Sequence, residues 1–313
     1  MRIVVLDDYQ AVAAGYAPWD ELGGDVVFVP RPITDDDDLA DVLSGADVVV
    51  AMRERTAFTA RRLRRLTDLQ LLVTTGRANA AIDLEVAREL GVVVCGTDSP
   101  SSATPELTWG LILAALRNIP LEDAGIRSGG WQTTVGGDLA GRRLGVVGLG
   151  RLGTQVARVG VAFGMDVVAW SQNLDAARAA EAGVRAVDER ELFSTSDVVT
   201  LHYKLSDRSR GLVGAAELAL MKPTAILVNT SRGPLVDTSA LIAALEAGRL
   251  GGAALDVFDT EPLAADDPLR SAPRTVLTPH LGYVTDATYR VFFAQAFEAI
   301  RAWTAGSPVR RLA

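Results

Sequence analysis

Short apolar runs rich in β-branched residues recur along the chain, each bounded by polar or glycine positions. In the first 96 residues they read RIVVLDD, DVVFVP, ADVVVAM, LQLLVTTG and GVVVCG, with helical spacing of apolar positions between them. Strands apolar on both faces that alternate with helices predict a parallel sheet covered on each side. SSATPELTWGLILAALRNI follows and predicts a long helix, with Ser and Thr as capping candidates and Pro105 and Glu106 in its first turn. After a looser Gly-rich stretch, SGGWQTTVGGDLAG, a second alternating series begins: RLGVVGLG, MDVVAWS, SDVVTLHY, AILVNTSRG, GGAALDVFD and TVLTPHLG. The chain closes on a helical pattern, YRVFFAQAFEAIRAWTAG. No solenoid repeat or low-complexity segment interrupts the series. The predicted fold class is α/β, with two doubly wound parallel-sheet domains, Rossmann-like or flavodoxin-like, and a cleft between them for chemistry.

A length of 313 residues suits two such domains. The 31 basic and 39 acidic residues give a net charge of -8, and no basic stripe is sustained. This argues against nucleic acid as a partner, whereas a small anionic metabolite can still find a locally positive cleft. DDDD at 35–38 reads as a helix N-terminus and RRLRR at 61–65 as a solvated helix face. The single cysteine, Cys95, sits at a buried strand end with no basic neighbour in sequence and reads as structural. The opening MRIVVLDDYQ places acids where a signal peptide would stay apolar, and WGLILAAL is too short to span a bilayer, so a cytoplasmic protein is expected.

GLGRLG places Gly148, Gly150 and Gly153 in the G-x-G-x-x-G spacing directly after an apolar strand, with Arg151 and Leu152 opening a helix. Such glycines permit a tight turn, close approach of backbone to a pyrophosphate and close helix packing, which predicts a dinucleotide site. The acid that usually follows at the end of the second strand is missing: VVAWSQNLD presents Ser171, Gln172 and Asn173. A neutral tip does not repel the extra phosphate of NADP, so NAD(P) is predicted with a tilt to NADP. Ligands sit at the carboxyl ends of strands in such sheets. Those ends carry His202, Thr230, Ser231, Arg232, Asp256 and His280, which includes both histidines of the chain.

LVNTSRGPLVDTSALIAALEAGRLGGAALDVFDTEPL followed by LTPHLGYVT resembles the signature region of the D-isomer-specific 2-hydroxyacid dehydrogenases. The likeness extends through GWQTTVGGDLAGRRLGVVGLGRLG and TTGRANAAIDLEVARELGVVVCGT, so it takes in nearly the whole chain. It implies a substrate-binding domain over 1–100 plus 284–313, an NAD(P)-binding Rossmann domain over 101–283, and a homodimer built around the long helix and coenzyme domain. Position by position it implies Arg232, Glu261 and His280 as the catalytic set. A guanidinium fork suits the carboxylate and carbonyl of a 2-oxo acid, an imidazolium can protonate the carbonyl oxygen as hydride arrives, and a carboxylate beside the ring favours and holds it. Gly76, Arg77 and Ala78 fall on the family's substrate loop, with Ala78 where many members have glycine. Arg53, Tyr9 and Tyr283 are further candidates for the substrate pocket. Asp256 matches an acid near the nicotinamide amide, and Thr230 and Ser231 match contacts to its ribose side. His202 stands where members commonly read His-x-Pro, with Lys204 in place of proline, a second feature favouring NADP.

The leading reading is a reductase interconverting a 2-oxo acid and a D-2-hydroxy acid. Two others remain open: a nucleotide-sensing regulatory protein on the same fold, and a formate- or phosphite-type dehydrogenase. No metal is expected, since two histidines on different strand ends and one remote cysteine lack ligand spacing.

Overall fold

The structure is a computed structural model that describes residues 1–33 and 35–313. It divides into two compact units, Met1–Pro100 with Thr285–Ala313, and Ser101–Val284.

In the first unit five strands form an all-parallel sheet: β1 (Arg2–Val5), β2 (Asp25–Phe28), β3 (Val48–Ala51), β4 (Leu71–Thr74) and β5 (Val93–Gly96). Their order, β2-β1-β3-β4-β5, is the flavodoxin-like one, with its reversal between β1 and β3. β3 and β4 are buried at every position, which is why they read as unbroken apolar runs. Cys95 is buried in β5. The C-terminal helix Asp286–Thr304 belongs to this unit and starts at Thr285, whose hydroxyl accepts from the Thr288 N–H. The DDDD run does open a helix, Asp36–Val42, capped by Asp35. RRLRR is a single short turn, Ala60–Leu63, and its arginines pair with that acidic run: Arg61 and Arg62 with Asp36, and Arg65 with Asp37. The two charged runs are thus partners of each other.

The second unit holds seven parallel strands: β6 (Arg143–Val147), β7 (Asp166–Trp170), β8 (Arg185–Ala186), β9 (Val198–Leu201), β10 (Ile226–Asn229), β11 (Gly252–Leu255) and β12 (Thr275–Leu277). The order β12-β11-β10-β9-β6-β7-β8 is the Rossmann arrangement extended by one strand, with the reversal between β6 and β9. Successive residues feed two cores. Val199, Leu201, Leu227, Ala253 and Leu255 face one layer, and Val198, Ile226, Val228 and Ala254 face the other. β8, only two residues long, has no sequence signal of its own. The long helix runs Ala103–Leu116, but neither Ser102 nor a neighbouring hydroxyl caps it; the Thr104 hydroxyl reaches a different loop instead. Among the described residues no helix is long and apolar enough to cross a membrane.

Candidate active site

The glycine turn lies at the topological switch point of the second unit. Gly148 follows β6 with φ +93°, a conformation open to glycine at little cost, and a Cβ there would lie 2.5 Å from the carbonyl oxygen of His202. A Cβ at Gly153 would overlap the Gly148 carbonyl. These two glycines are demanded by the fold. Gly150 is different: its φ of -90° is ordinary and nothing lies within 4 Å of a Cβ placed on it. It is the N-cap of the helix Arg151–Ala162, whose first N–H groups have no partner within the helix. The protein's own packing does not call for glycine there, whereas an anion seated on the helix N-terminus does.

Ser171 and Gln172 follow β7, and the first acid beyond them, Asp175, caps the next helix by accepting from the Arg178 N–H. Trp170 stacks on Tyr203 across the β7 and β9 ends, with ring centroids 6.2 Å apart. Lys204 is exposed. His202 points its Nε2 at Thr200 Oγ1, 3.0 Å away.

Burial lowers the His202 imidazole from 6.5 to about 4, so the ring is neutral at neutral pH. Between those two values an unfolded chain carries a proton that the folded chain refuses. Stability supplied by the neutral ring is therefore present above 6.5 and is lost as pH falls toward about 4. Denaturant unfolding at stepped pH should show wild type losing roughly 1–3 kcal/mol more across this window than His202→Asn. Parallel curves for the two proteins would refute the assignment.

The remaining predicted residues of this unit cluster on the loops after β10, β11 and β12. Arg232 Nη1 donates to the Ser231 carbonyl at 2.7 Å, and Ser231 Oγ donates to the Tyr203 carbonyl at 2.7 Å. Asn229, buried at the end of β10, brackets the turn: its Nδ2 donates to the Arg232 carbonyl and its Oδ1 accepts from the Ser231 N–H. Gly233 brings the next stretch against 258–259, where a Cβ would overlap the Phe258 carbonyl and lie 2.6 Å from the Asp259 nitrogen. Glu261 Oε1 accepts from the Phe258 N–H at 2.9 Å, and its Oε2 lies 2.6 Å from His280 Nδ1. A carboxylate only accepts, so Nδ1 carries the proton and Nε2 is the nitrogen turned away from Glu261. His280 has φ +53°, an uncommon backbone for histidine that the following turn sustains. Asp256, fully buried, accepts from the Leu281 N–H at 2.7 Å, the Gly282 N–H at 2.8 Å and the Thr278 hydroxyl at 2.6 Å. Burial raises its carboxyl, and these three bonds together with the nearby His280 ring oppose the rise. The Tyr283 ring stands edge-on to the imidazole at 5.3 Å.

The structure therefore joins Glu261 directly to His280 and links the Arg232 turn to them through Gly233. Both oxygens of Asp256, read from sequence as a cofactor contact, are engaged in shaping the histidine turn. Asn229, Gly233, Thr104, Thr108 and Thr278 carry the loops without having been singled out by motif. The only trace of Asn229 and Gly233 in the sequence is a polar residue ending an apolar strand and a glycine beside a key arginine.

Arg53, Gly76, Arg77 and Ala78 lie together in the first unit, at the carboxyl ends of β3 and β4. Arg53, with φ +52°, donates its N–H to Thr75 Oγ1 and its Nη1 to the Thr75 carbonyl. Its guanidinium occupies the place a side chain at Gly76 would fill, and Gly76 itself has φ +105°. The Gly76 N–H goes to Thr97 Oγ1, while the mostly exposed Arg77 pairs with Asp98. Tyr9 donates its hydroxyl to Asp7 and lies under the Arg55 guanidinium, 4.3 Å from the ring centre. Among the described residues no three His, Cys, Asp or Glu side chains gather as a metal site.

Sheet order, glycine turn and the carboxylate–imidazole pair place the second unit among the α/β proteins that bind a dinucleotide at the carboxyl edge of a doubly wound sheet. Residues 109–282 match the NAD binding domain of the D-isomer specific 2-hydroxyacid dehydrogenases. The chain is 40% identical over 235 residues to a glyoxylate reductase of Aeropyrum pernix, covering 72% of this chain and 70% of that protein. It is 39% identical over 254 residues to a D-3-phosphoglycerate dehydrogenase of Methanocaldococcus jannaschii, covering 80% of this chain and 48% of that one. The chain thus spans about half the length of the latter relative. A crystal structure of a phosphoglycerate oxidoreductase from Vibrio cholerae superposes with a TM-score of 0.93 at 36% identity, over 98% of this chain and 100% of that one. The chain belongs to the D-isomer specific 2-hydroxyacid dehydrogenase family, and its cofactor is a nicotinamide dinucleotide.

Proposed function

We propose that the protein reduces a small 2-oxo acid to the D-2-hydroxy acid, and runs the reverse oxidation, with His280 as the proton donor and acceptor. The observation that carries this is the 2.6 Å contact between His280 Nδ1 and Glu261 Oε2, which holds the ring and leaves Nε2 for the substrate oxygen. With its pyrophosphate held at the glycine turn, a nicotinamide dinucleotide would supply the hydride. Glu261 holds the ring's orientation and, in the neutral form, fixes its tautomer with the proton on Nδ1. Arg232 offers its fork to the substrate carboxylate, and Tyr283 beside the imidazole limits what side chain the substrate brings. In the first unit, Arg53, Gly76, Arg77 and Ala78 are the substrate-binding candidates of this reading. Gly148, Gly150, Arg151, Leu152 and Gly153 cradle the pyrophosphate. Ser171 and Gln172 meet the adenosine ribose, and His202, Thr230, Ser231 and Asp256 line the rest of the cofactor site.

NADPH is the preferred reductant in this reading. Asp175, the nearest acid after β7, is engaged as a helix cap, and Lys204 adds positive charge beyond the end of β9. The test is loss of reduced-cofactor absorbance with NADPH or NADH and a panel of 2-oxo acids that includes glyoxylate and phosphohydroxypyruvate, the oxo forms suggested by the relatives' names. No turnover of any oxo acid by a folded, cofactor-binding sample would sink the reductase reading. Higher kcat/KM with NADH would refute the cofactor preference alone.

A cytoplasmic homodimer completes the reading. Ile119, Leu121, Ile126, Trp131 and Val135 expose between 51% and 97% of their surfaces, an apolar area that a second copy would cover. Glu122, on the helix Ile119–Arg127, ties the following 133–134 stretch to that helix, accepting from the N–H and hydroxyl groups of Thr133 and Thr134. Sedimentation as a monomer at micromolar concentration would overturn it.

A further inference from the structure

Two threonines of the helix Ala103–Leu116 connect the loops that carry Arg232 and His280. Thr104 and Thr108 are one turn apart, so their side chains stand on one face. Thr104 Oγ1 donates to the carbonyl of Gly282 at 2.8 Å, two residues beyond His280. Thr108 is fully buried; its hydroxyl donates to the Thr104 carbonyl at 2.8 Å and lies 2.8 Å from Thr230 Oγ1, two residues before Arg232. A hydroxyl has one proton and a carbonyl only accepts, so Thr108 must accept from Thr230. The direction of the chain is thereby set: Thr230 donates to Thr108, Thr108 to the Thr104 backbone, and Thr104 to Gly282. From Gly282 it continues through its N–H to Asp256, which also holds Leu281 and Thr278.

A buried hydroxyl on a helix face costs desolvation that a valine of nearly the same shape would avoid, so its presence at Thr108 calls for these partners. A second connection between the same loops runs from Gly233 against Phe258 to Glu261 and His280. The Arg232 turn and the His280 turn are thus linked twice. We propose that Thr108, with Thr104, is the spacer that sets the Arg232 turn against the His280 turn, which makes both of them positioning residues. Neither touches the Glu261–His280 pair. The inference rests on the reductase reading above.

The test compares Thr108→Val, which removes only the hydroxyl, with Thr108→Ser, which keeps it. With an oxo acid that wild type reduces, Thr108→Val is expected to lower kcat/KM roughly 10- to 100-fold, the scale of a displaced positioning group. Thr108→Ser should stay within about threefold of wild type, and reduced-cofactor affinity should move by less than about twofold in both variants. In an Arg232→Ala background, Thr108→Val should add little, because the displaced turn no longer carries the guanidinium. Should Thr108→Val fail to fold, Thr104→Val removes the spacer's other link, the hydroxyl donated to the Gly282 carbonyl, and must reproduce the loss. Wild-type kcat/KM in either valine variant, or the same fold-loss with and without Arg232, overturns the proposal while the reductase reading stands. A wild type inactive on every oxo acid removes the reading and the proposal together.

Discussion

Replacing His280 by alanine is expected to lower kcat for oxo-acid reduction by roughly 10²–10⁴-fold, the usual share of a positioned acid or base. The expectation follows from geometry. Nδ1 is committed to Glu261, so the ring has one nitrogen left to give a proton, and no other histidine stands in this cluster. His202, on the β9 end, is held neutral by burial and lacks a carboxylate partner, so it cannot substitute. Cofactor affinity should be nearly unchanged, since His280 lies on a different loop from the glycine turn. Glu261→Gln should produce a smaller loss, because the ring remains but loses the carboxylate that orients it through Nδ1. Steady-state rates with a cofactor titration check both, and a His280→Ala enzyme with wild-type kcat would remove the assigned proton donor.

The second large effect is expected at a residue that performs no chemistry. Gly233→Ala places a Cβ against the backbone of Phe258 and Asp259, where a flexible side chain cannot yield. The arginine turn and the 258–261 segment must separate, and the latter carries the N–H that holds Glu261. Overpacking of this kind costs roughly 1–3 kcal/mol of stability. A displacement near 1 Å on either side lowers the rate by about 100-fold or more. The variant should therefore combine a modest fall in melting temperature with a large fall in kcat/KM that is greater than the stability loss can explain at assay temperature. Wild-type activity in Gly233→Ala would show that the two loops are set independently.

Much of the architecture was legible because its signals are local. Each strand of four or five residues in both sheets appears as an apolar run, since parallel strands buried on both faces need no alternation. Only β8, at two residues, is too short to register. Gly148, Gly150 and Gly153 could be read from spacing, as could the identity of the residues that end each strand. The charged runs show where that reading stops: DDDD does open a helix as its sequence predicts, but RRLRR reads as a solvated face, and only folding revealed its arginines as ion-paired with that acidic run.

The histidine of TPHLGYVT marks the division most clearly. Sequence determined that an imidazole follows a strand on the ligand edge, and that an arginine and a glutamate lie upstream in a recognisable signature. Tertiary structure decided that Glu261 meets Nδ1 rather than Nε2, that Asp256 is committed to the turn beneath the ring, and that Thr104 and Thr108 reach loops more than a hundred residues away. The physical reason is range: propensity and periodicity act over a few residues, while a hydrogen bond between distant loops depends on how two strands and a helix pack, which no local pattern encodes.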